Sequence, residues 1–269
     1  MNRWKNVVLL AVVAAVMLNL AGCNKLKARD RLNKGVQAYK GARYEEAIEK
    51  FKEAVQLDPT LKNAKLYLAV AYAQQFIPGV ESEENLRTAN LAIEQYEKVL
   101  EQDPNDITSL KGLASLYFNM KKFDEAKVYH RRVMNVDPND PETYYSIAVI
   151  DWSQTYQPRM EKRAGLGLRP DEPLKDQKVC AELLQLNQAK YEEGIEMLTK
   201  ALELRPDYDD AMAYLNLMYR EKADLQCGDE AARGELLKMA DAMVEKTMAT
   251  KKRKAEEAAK RPAGIVMDQ

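Results

Sequence analysis

A chain of 269 residues with 41 Lys and Arg against 42 Asp and Glu has a formal charge of −1, so it lacks the basic surplus that gripping a nucleic-acid backbone requires. One His and three Cys leave no paired ligands for a zinc site, and no metal or cofactor is expected. With 11 Gly, 4 Phe and much Ala, Leu, Glu and Lys, the composition points to a mostly helical protein.

The chain opens MNRWKN, with Arg3 and Lys5 and no acid, and continues as the apolar run VVLLAVVAAVML over residues 7–18 before Ala21 and Gly22. A positive start, a short apolar core and small residues form the layout of a secretory signal. The run is too short for a membrane span, which takes roughly 20 apolar residues. Leu20, Ala21, Gly22 and Cys23 resemble the lipobox of bacterial lipoproteins. That resemblance implies that residues 1–22 are cleaved, that Cys23 is acylated as the mature N-terminus, and that residues 23–27 form a short tether. Each buried methylene contributes about 0.8 kcal/mol, and stable anchoring takes more than one chain. Asn24 rather than Asp after the cysteine looks like outer-membrane sorting in enteric-type bacteria. The expected location is therefore the bacterial cell envelope, lipid-anchored at the periplasmic face of the outer membrane. Residues 1–22 hold two bases and no acid, so the remainder carries about −3.

Beyond the tether, the segments YEEAIEKFKEAVQLDP (44–59), NLAIEQYEKVLEQDP (90–104), FDEAKVYHRRVMNVDP (123–138) and YEEGIEMLTKALELRP (191–206) are variants of one amphipathic helix closed by proline. The closing Pro59, Pro104, Pro138 and Pro206 are 45, 34 and 68 residues apart, which fits a unit of 34 with additions in the first and last gaps. Each is followed by a second helical pattern, at 66–74, 110–120, 143–154 and 211–221. Small residues recur at Gly35, Ala69, Ala114 and Ala148 on the first helix of each pair and at Ala47, Ala92, Ala126 and Gly194 on the second. Phe51, Tyr96, His130 and Leu198 fill the space between. The pattern resembles the tetratricopeptide repeat, a 34-residue helix–turn–helix unit.

The resemblance implies an all-α fold, an α-solenoid of helix pairs A and B with a groove lined by the A helices. It divides the chain into repeat 1 (28–61), repeat 2 with an insertion (62–106), repeat 3 (107–140), repeat 4 (141–206) with a large A–B insertion at 155–189, and repeat 5 with a capping C-terminal helix (207–260), followed by a disordered tail (261–269). Asn216 departs from the small-residue pattern and marks repeat 5 as the least regular unit. By family register the outward positions of the groove are Tyr39, Phe118, Tyr145 and Trp152, aromatic rings that supply contact area at low entropic cost. Leu32 and Val36 stand where carboxylate-clamping relatives carry Lys and Asn, so that clamp is not expected.

Little suggests catalysis. His130 faces the interhelical core, which leaves a Ser/His/Asp or Cys/His arrangement without a base. RAGLGLRP, with Gly165 and Gly167, lacks the spacing of a phosphate loop. Acidic pairs such as Glu45 and Glu46 and the basic run KKRK (251–254) read as solvated helix faces. The insertions FIPGVESEEN (76–85) and 155–189 both fall between helices A and B, on one edge of a solenoid, where repeat proteins often bind. The larger one, rich in Pro and Gly around Pro158, Pro170 and Pro173, reads as a long loop followed by a helical stretch with Val179, Leu183 and Leu186 on one face, or as a degenerate repeat. Cys180 and Cys227 lie near that edge, and export favours their pairing as a disulfide. The function expected is a lipid-anchored scaffold for protein partners of the cell envelope. The alternative is a periplasmic carrier of a small apolar ligand in the aromatic groove.

Overall fold

A computed structural model describes residues 23–169 and 172–260. The expected signal peptide, the tail beyond Lys260, and Pro170 lie outside the described residues. Among the described residues the chain forms helices and no strand: α1 (23–40), α2 (Tyr44–Leu57), α3 (Lys62–Gln75), α4 (Glu83–Gln102), α5 (Ile107–Asn119), α6 (Phe123–Val136), α7 (Pro141–Gly165), α8 (Gln177–Leu204), α9 (Asp209–Asp224) and α10 (Glu230–Lys260). These are five A–B hairpins of an α-solenoid. They divide into two compact units at Tyr129/His130, within α6.

Local chemistry sets the two kinds of turn. Where helix B meets the next helix A, the residue before proline is forced out of the helical region: Asp58 adopts φ −142°, ψ 91°, Asp103 φ −142°, ψ 89° and Arg205 φ −136°, ψ 89°. The aspartates then accept from the backbone two residues on, Thr60 N–H to Asp58 at 3.0 Å and Asn105 N–H to Asp103 at 3.3 Å, which starts the next hairpin. Within hairpins 1 and 3, helix A ends in a Schellman turn with a non-glycine residue in the left-handed region, Ala42 (φ 56°) and Lys121 (φ 58°). Arg43 N–H donates to Ala38 O at 2.9 Å and Lys122 N–H to Tyr117 O at 2.9 Å, the long bond of that motif. A side chain in this conformation costs ~1–2 kcal/mol. Lys121→Gly is therefore expected to stabilise by ~0.5–1 kcal/mol in urea titration, and a loss of stability would show that the Lys121 side chain outweighs the backbone.

In the first unit, α2 packs on α3, α3 on α4 and α4 on α5. The small-residue positions are sites of close approach: a Cβ at Gly35 would lie 2.5 Å from the buried Phe51 ring. Lys62 ties successive turns together through Asp103 (2.9 Å) and Asp106 (3.0 Å).

The second unit corrects the expected loop. α7 continues through Pro158 to Gly165, and α8 starts at Gln177, so most of 155–189 extends the two helices of repeat 4. An internal proline costs a helix ~3 kcal/mol. Here the turns beyond it carry Arg159 and Arg163, whose guanidinium groups are held by α9, and this tertiary anchoring offsets the penalty. Gly167 (φ 70°) then closes α7 in the left-handed conformation, with Leu168 N–H donating to Arg163 O at 3.0 Å. On the α8 extension Leu183 is buried, but Leu186 is 60 % exposed and Asn187 takes the inward place. α10 packs on α9 through Leu236, Ala240, Met243 and Thr247, covering the last apolar face. No helix of the described residues is long and apolar enough to cross a membrane.

Candidate functional site

The four aromatic residues singled out from the sequence fall in different settings. In the first unit Tyr39 is half-buried edge-on against Tyr44 (ring centroids 5.3 Å apart), and Phe118 leans on Phe123 (5.8 Å), each across the turn that ends its own helix A. In the second unit Tyr145 and Trp152, two helical turns apart on α7, both meet Tyr214 of α9 edge-on, each at 5.4 Å. Tyr208 lies 5.1 Å from Tyr145, and Tyr156 lies 4.8 Å from Trp152, which extends the row at both ends. The structure thus gathers five rings from the A helices of repeats 4 and 5 and the turn before α9.

Sequence reasoning missed three of the five. Tyr156 was within reach, because it follows Trp152 by one helical turn. Tyr214 occupies the position after the one equivalent to Tyr145, so repeat register alone does not assign it to the groove.

The polar groups around this row hold it in place. Glu142 accepts from the Tyr208 hydroxyl and from Arg205, at 2.6 Å for the latter. Burial, then the neighbouring Tyr214 and the acids Asp210 and Glu142, push the Tyr145 hydroxyl above the ordinary tyrosine range, so it stays protonated.

Beside Trp152 lies a buried ionic network. Asp224 accepts from Arg159 Nη1 (2.9 Å), from Arg163 Nη1 and from the Leu174 backbone (3.2 Å), while Arg163 also donates to the carbonyls of Arg169 and Glu172. Glu221, 3 % exposed, accepts from Thr155 Oγ1 at 3.0 Å and lies 3.6 Å from Arg159 Nη2. Burial pushes its carboxyl up to about 7, against the pull of Arg159, Thr155, Trp152 and Tyr191 towards the charged form. The folded state therefore keeps a proton that the unfolded chain releases near 4.5. Its stabilisation is complete below that value and is lost as pH rises through about 7. With Trp4→Phe leaving Trp152 as the only indole, the unfolding free energy reported by its fluorescence should fall by ~2–3 kcal/mol from pH 5 to 8, and by clearly less in Glu221→Gln. Equal slopes in the two proteins would contradict this.

Between this network and α10 is a cavity of ≈330 Å³. Trp152, Tyr156, Leu217 and Leu237 supply its apolar walls, and Arg159, Arg220 and Arg233 supply cations.

Cys180, on the α8 extension, is joined to Cys227, in the α9–α10 connection, with Cα atoms 6.0 Å apart. Cys23 is free and exposed at the start of the described chain. The first insertion is a short turn before α4, held by Asn85, which accepts from Ile77 N–H (2.9 Å) and donates to the carbonyls of Ile77 (2.8 Å) and Val80 (2.7 Å). His130 is buried among the helices. Among the described residues no group of three or more His, Cys, Asp or Glu is placed to hold a metal.

Stacked helix hairpins with small residues at their crossings and prolines closing each second helix define a helical-repeat protein. Two family models of the tetratricopeptide repeat match, at residues 87–148 and 183–208. The chain thus carries tetratricopeptide repeats at these residues. Mouse sperm-associated antigen 1 is 30% identical over 107 residues, which is 40% of this chain and 10% of that protein, so the chain spans about a tenth of this curated relative. Among solved structures, a MamA protein superposes with a TM-score of 0.59 at 15% identity, over 89% of this chain and 98% of its own. MamA from Desulfovibrio magneticus RS-1 gives 0.56 at 18% identity, over 84% and 96%. YrrB, described as a TPR protein with an unusual peptide-binding site, gives 0.51 at 15%, over 82% and 90%. At these identities the structural likenesses speak for the fold alone.

Proposed function

We propose that this protein is a lipid-anchored scaffold of the bacterial envelope, tethered through acyl chains on Cys23 and holding a protein partner against the aromatic row of its second unit. The observation that carries the binding half is the convergence of Tyr145, Trp152 and Tyr214 on the A-helix side of repeats 4 and 5. Preassembled rings offer contact area with little ordering cost. YrrB, a protein of the same fold with a peptide-binding site, supports a polypeptide as the ligand. The tether rests on the lipobox resemblance and on the exposure of Cys23. Anchoring raises the effective concentration of whatever the repeats hold at the membrane, which suits assembly or maintenance of an envelope complex. The protein is read as a binding module and not an enzyme, since its single histidine is a core residue.

Two substitutions test the halves separately. Cys23→Ser should move the protein from the membrane fraction to the soluble fraction. Tyr145→Ala with Tyr214→Ala, in a chain whose circular dichroism is unchanged, should abolish crosslinking to the wild-type partner in intact envelopes. Retention of both membrane association and crosslinking would defeat the reading.

A further inference from the structure

The geometry points to the cavity between α7, α9 and α10 as a binding site for a carboxylate that carries a small apolar group. This deepens the scaffold reading and rests on it, because Trp152 belongs to both the aromatic row and the cavity wall. The volume, ≈330 Å³, is at the small end for ligand pockets and suits a single branched side chain with its acid group. Trp152 and Tyr156 form one apolar wall, and Leu217 and Leu237 form another.

Charge decides the polar end. Four guanidinium groups line the cavity, from Arg159, Arg163, Arg220 and Arg233, against three carboxylates, from Glu172, Glu221 and Asp224. Asp224 is already occupied by Arg159, Arg163 and the Leu174 N–H, and Glu172 accepts from the Arg169 backbone. The Arg159 Nε–H has no hydrogen-bond partner among the described residues but is buried away from the cavity, so Arg220 and Arg233 are the groups that would meet a ligand's acid. Arg220 donates through Nε to Asn216 Oδ1 at 2.8 Å and through Nη2 to Asp241 at 2.6 Å, and Arg233 lies 3.8 Å from Glu230; the two carboxylates are 66% and 85% exposed. Such pairs contribute little and exchange readily for a carboxylate that also buries apolar surface. A cationic ligand would be repelled by the guanidinium groups of Arg220 and Arg233 at the rim, and a neutral one would gain nothing from them.

The site is built from what sets repeat 4 apart. The extension of α7 past Pro158 places Tyr156, Arg159 and Arg163, and α10 closes the other side. A repeat of ordinary length would end helix A before these residues.

The test titrates full-length protein carrying Trp4→Phe and follows Trp152 fluorescence. The small probes are 4-methylpentanoate and 4-methylpentanamide, and the peptide probes are acetyl-Ser-Ala-Leu-Leu with a free C-terminal carboxylate and with an amide. A saturable change with a carboxylate, at least tenfold weaker with its amide, and at least tenfold weaker again in Arg220→Gln with Arg233→Gln, is the expected result. Within it, binding of the peptide acid alone identifies a polypeptide terminus as the source, and binding of the free acid alone identifies a small metabolite-like acid. Acid and amide binding equally, the arginine variant binding as well as the parent, or no saturable change with any probe each overturns the proposal. If the probes fail while Tyr145→Ala with Tyr214→Ala still loses its partner, the cavity assignment falls and the scaffold stands.

Discussion

Replacing Asp224 by alanine is expected to cost the second unit about 3–5 kcal/mol, the largest effect of any single substitution considered, because it removes the carboxylate shared by two largely buried guanidinium groups and leaves Arg163 with backbone carbonyls alone. Arg163 is 2% exposed and Arg159 12%, so solvent compensates little, and of the two only Arg159 keeps a carboxylate nearby, Glu221 at 3.6 Å. The loss should come mainly from the uncompensated charges and not from a missing attraction. A second substitution, Arg163→Met on the Asp224→Ala background, removes one of those charges and should restore a substantial part of the stability. Denaturant titration followed by Trp152 fluorescence measures both. A cost below ~1 kcal/mol for Asp224→Ala would mean that water reaches the network and that α7 beyond Pro158 is held by something else.

The second large effect concerns the Cys180–Cys227 bridge, whose residues are 47 apart in sequence. Closing a loop of that length restricts the unfolded chain by ~4 kcal/mol in the chain-entropy treatment. Cys180→Ala with Cys227→Ala should therefore unfold at clearly lower denaturant concentration, and a reductant should shift the parent protein towards the same midpoint. The variant itself should not respond to reductant. If parent and variant unfold together under oxidising conditions, the bridge contributes nothing to stability.

The contrast between the two units shows what sequence makes legible here. The hairpins were readable because their signals are local: a proline that forces the preceding residue extended, and small side chains where helices cross. Phe51 over Gly35 is such a crossing, and both residues were named from pattern alone. The extension of repeat 4 was not readable in this way. Pro158, Gly165 and Gly167 are all breakers by local rules, and the compensating partners, Glu221 and Asp224, lie more than 60 residues further on. Gly167 does break the helix, but Pro158 does not, and only the anchoring of Arg159 and Arg163 separates the two cases. The aromatic row was half legible. Tyr145 and Trp152 followed from register, whereas Tyr214 becomes visible only when α9 is set against α7.

Repeat 4 thus departs from an ordinary unit at the place where the rings, the arginines and the disulfide come together. Lengthened helices, a bridge pinning the α8 extension to the α9–α10 connection, and a buried network beneath Trp152 hold that region in one conformation. Rigidity of this kind lowers the ordering cost of binding.

The most direct measurement of the central claim is photo-crosslinking in living cells that make the protein, with a benzoylphenylalanine side chain in place of Tyr156 at the exposed end of the row and, as a control, in place of the exposed Leu186 of α8. The account expects a discrete protein adduct from position 156, lost when Tyr145 and Tyr214 are alanine, and none from position 186. Equal labelling from both positions, or an adduct from 186 alone, would contradict it.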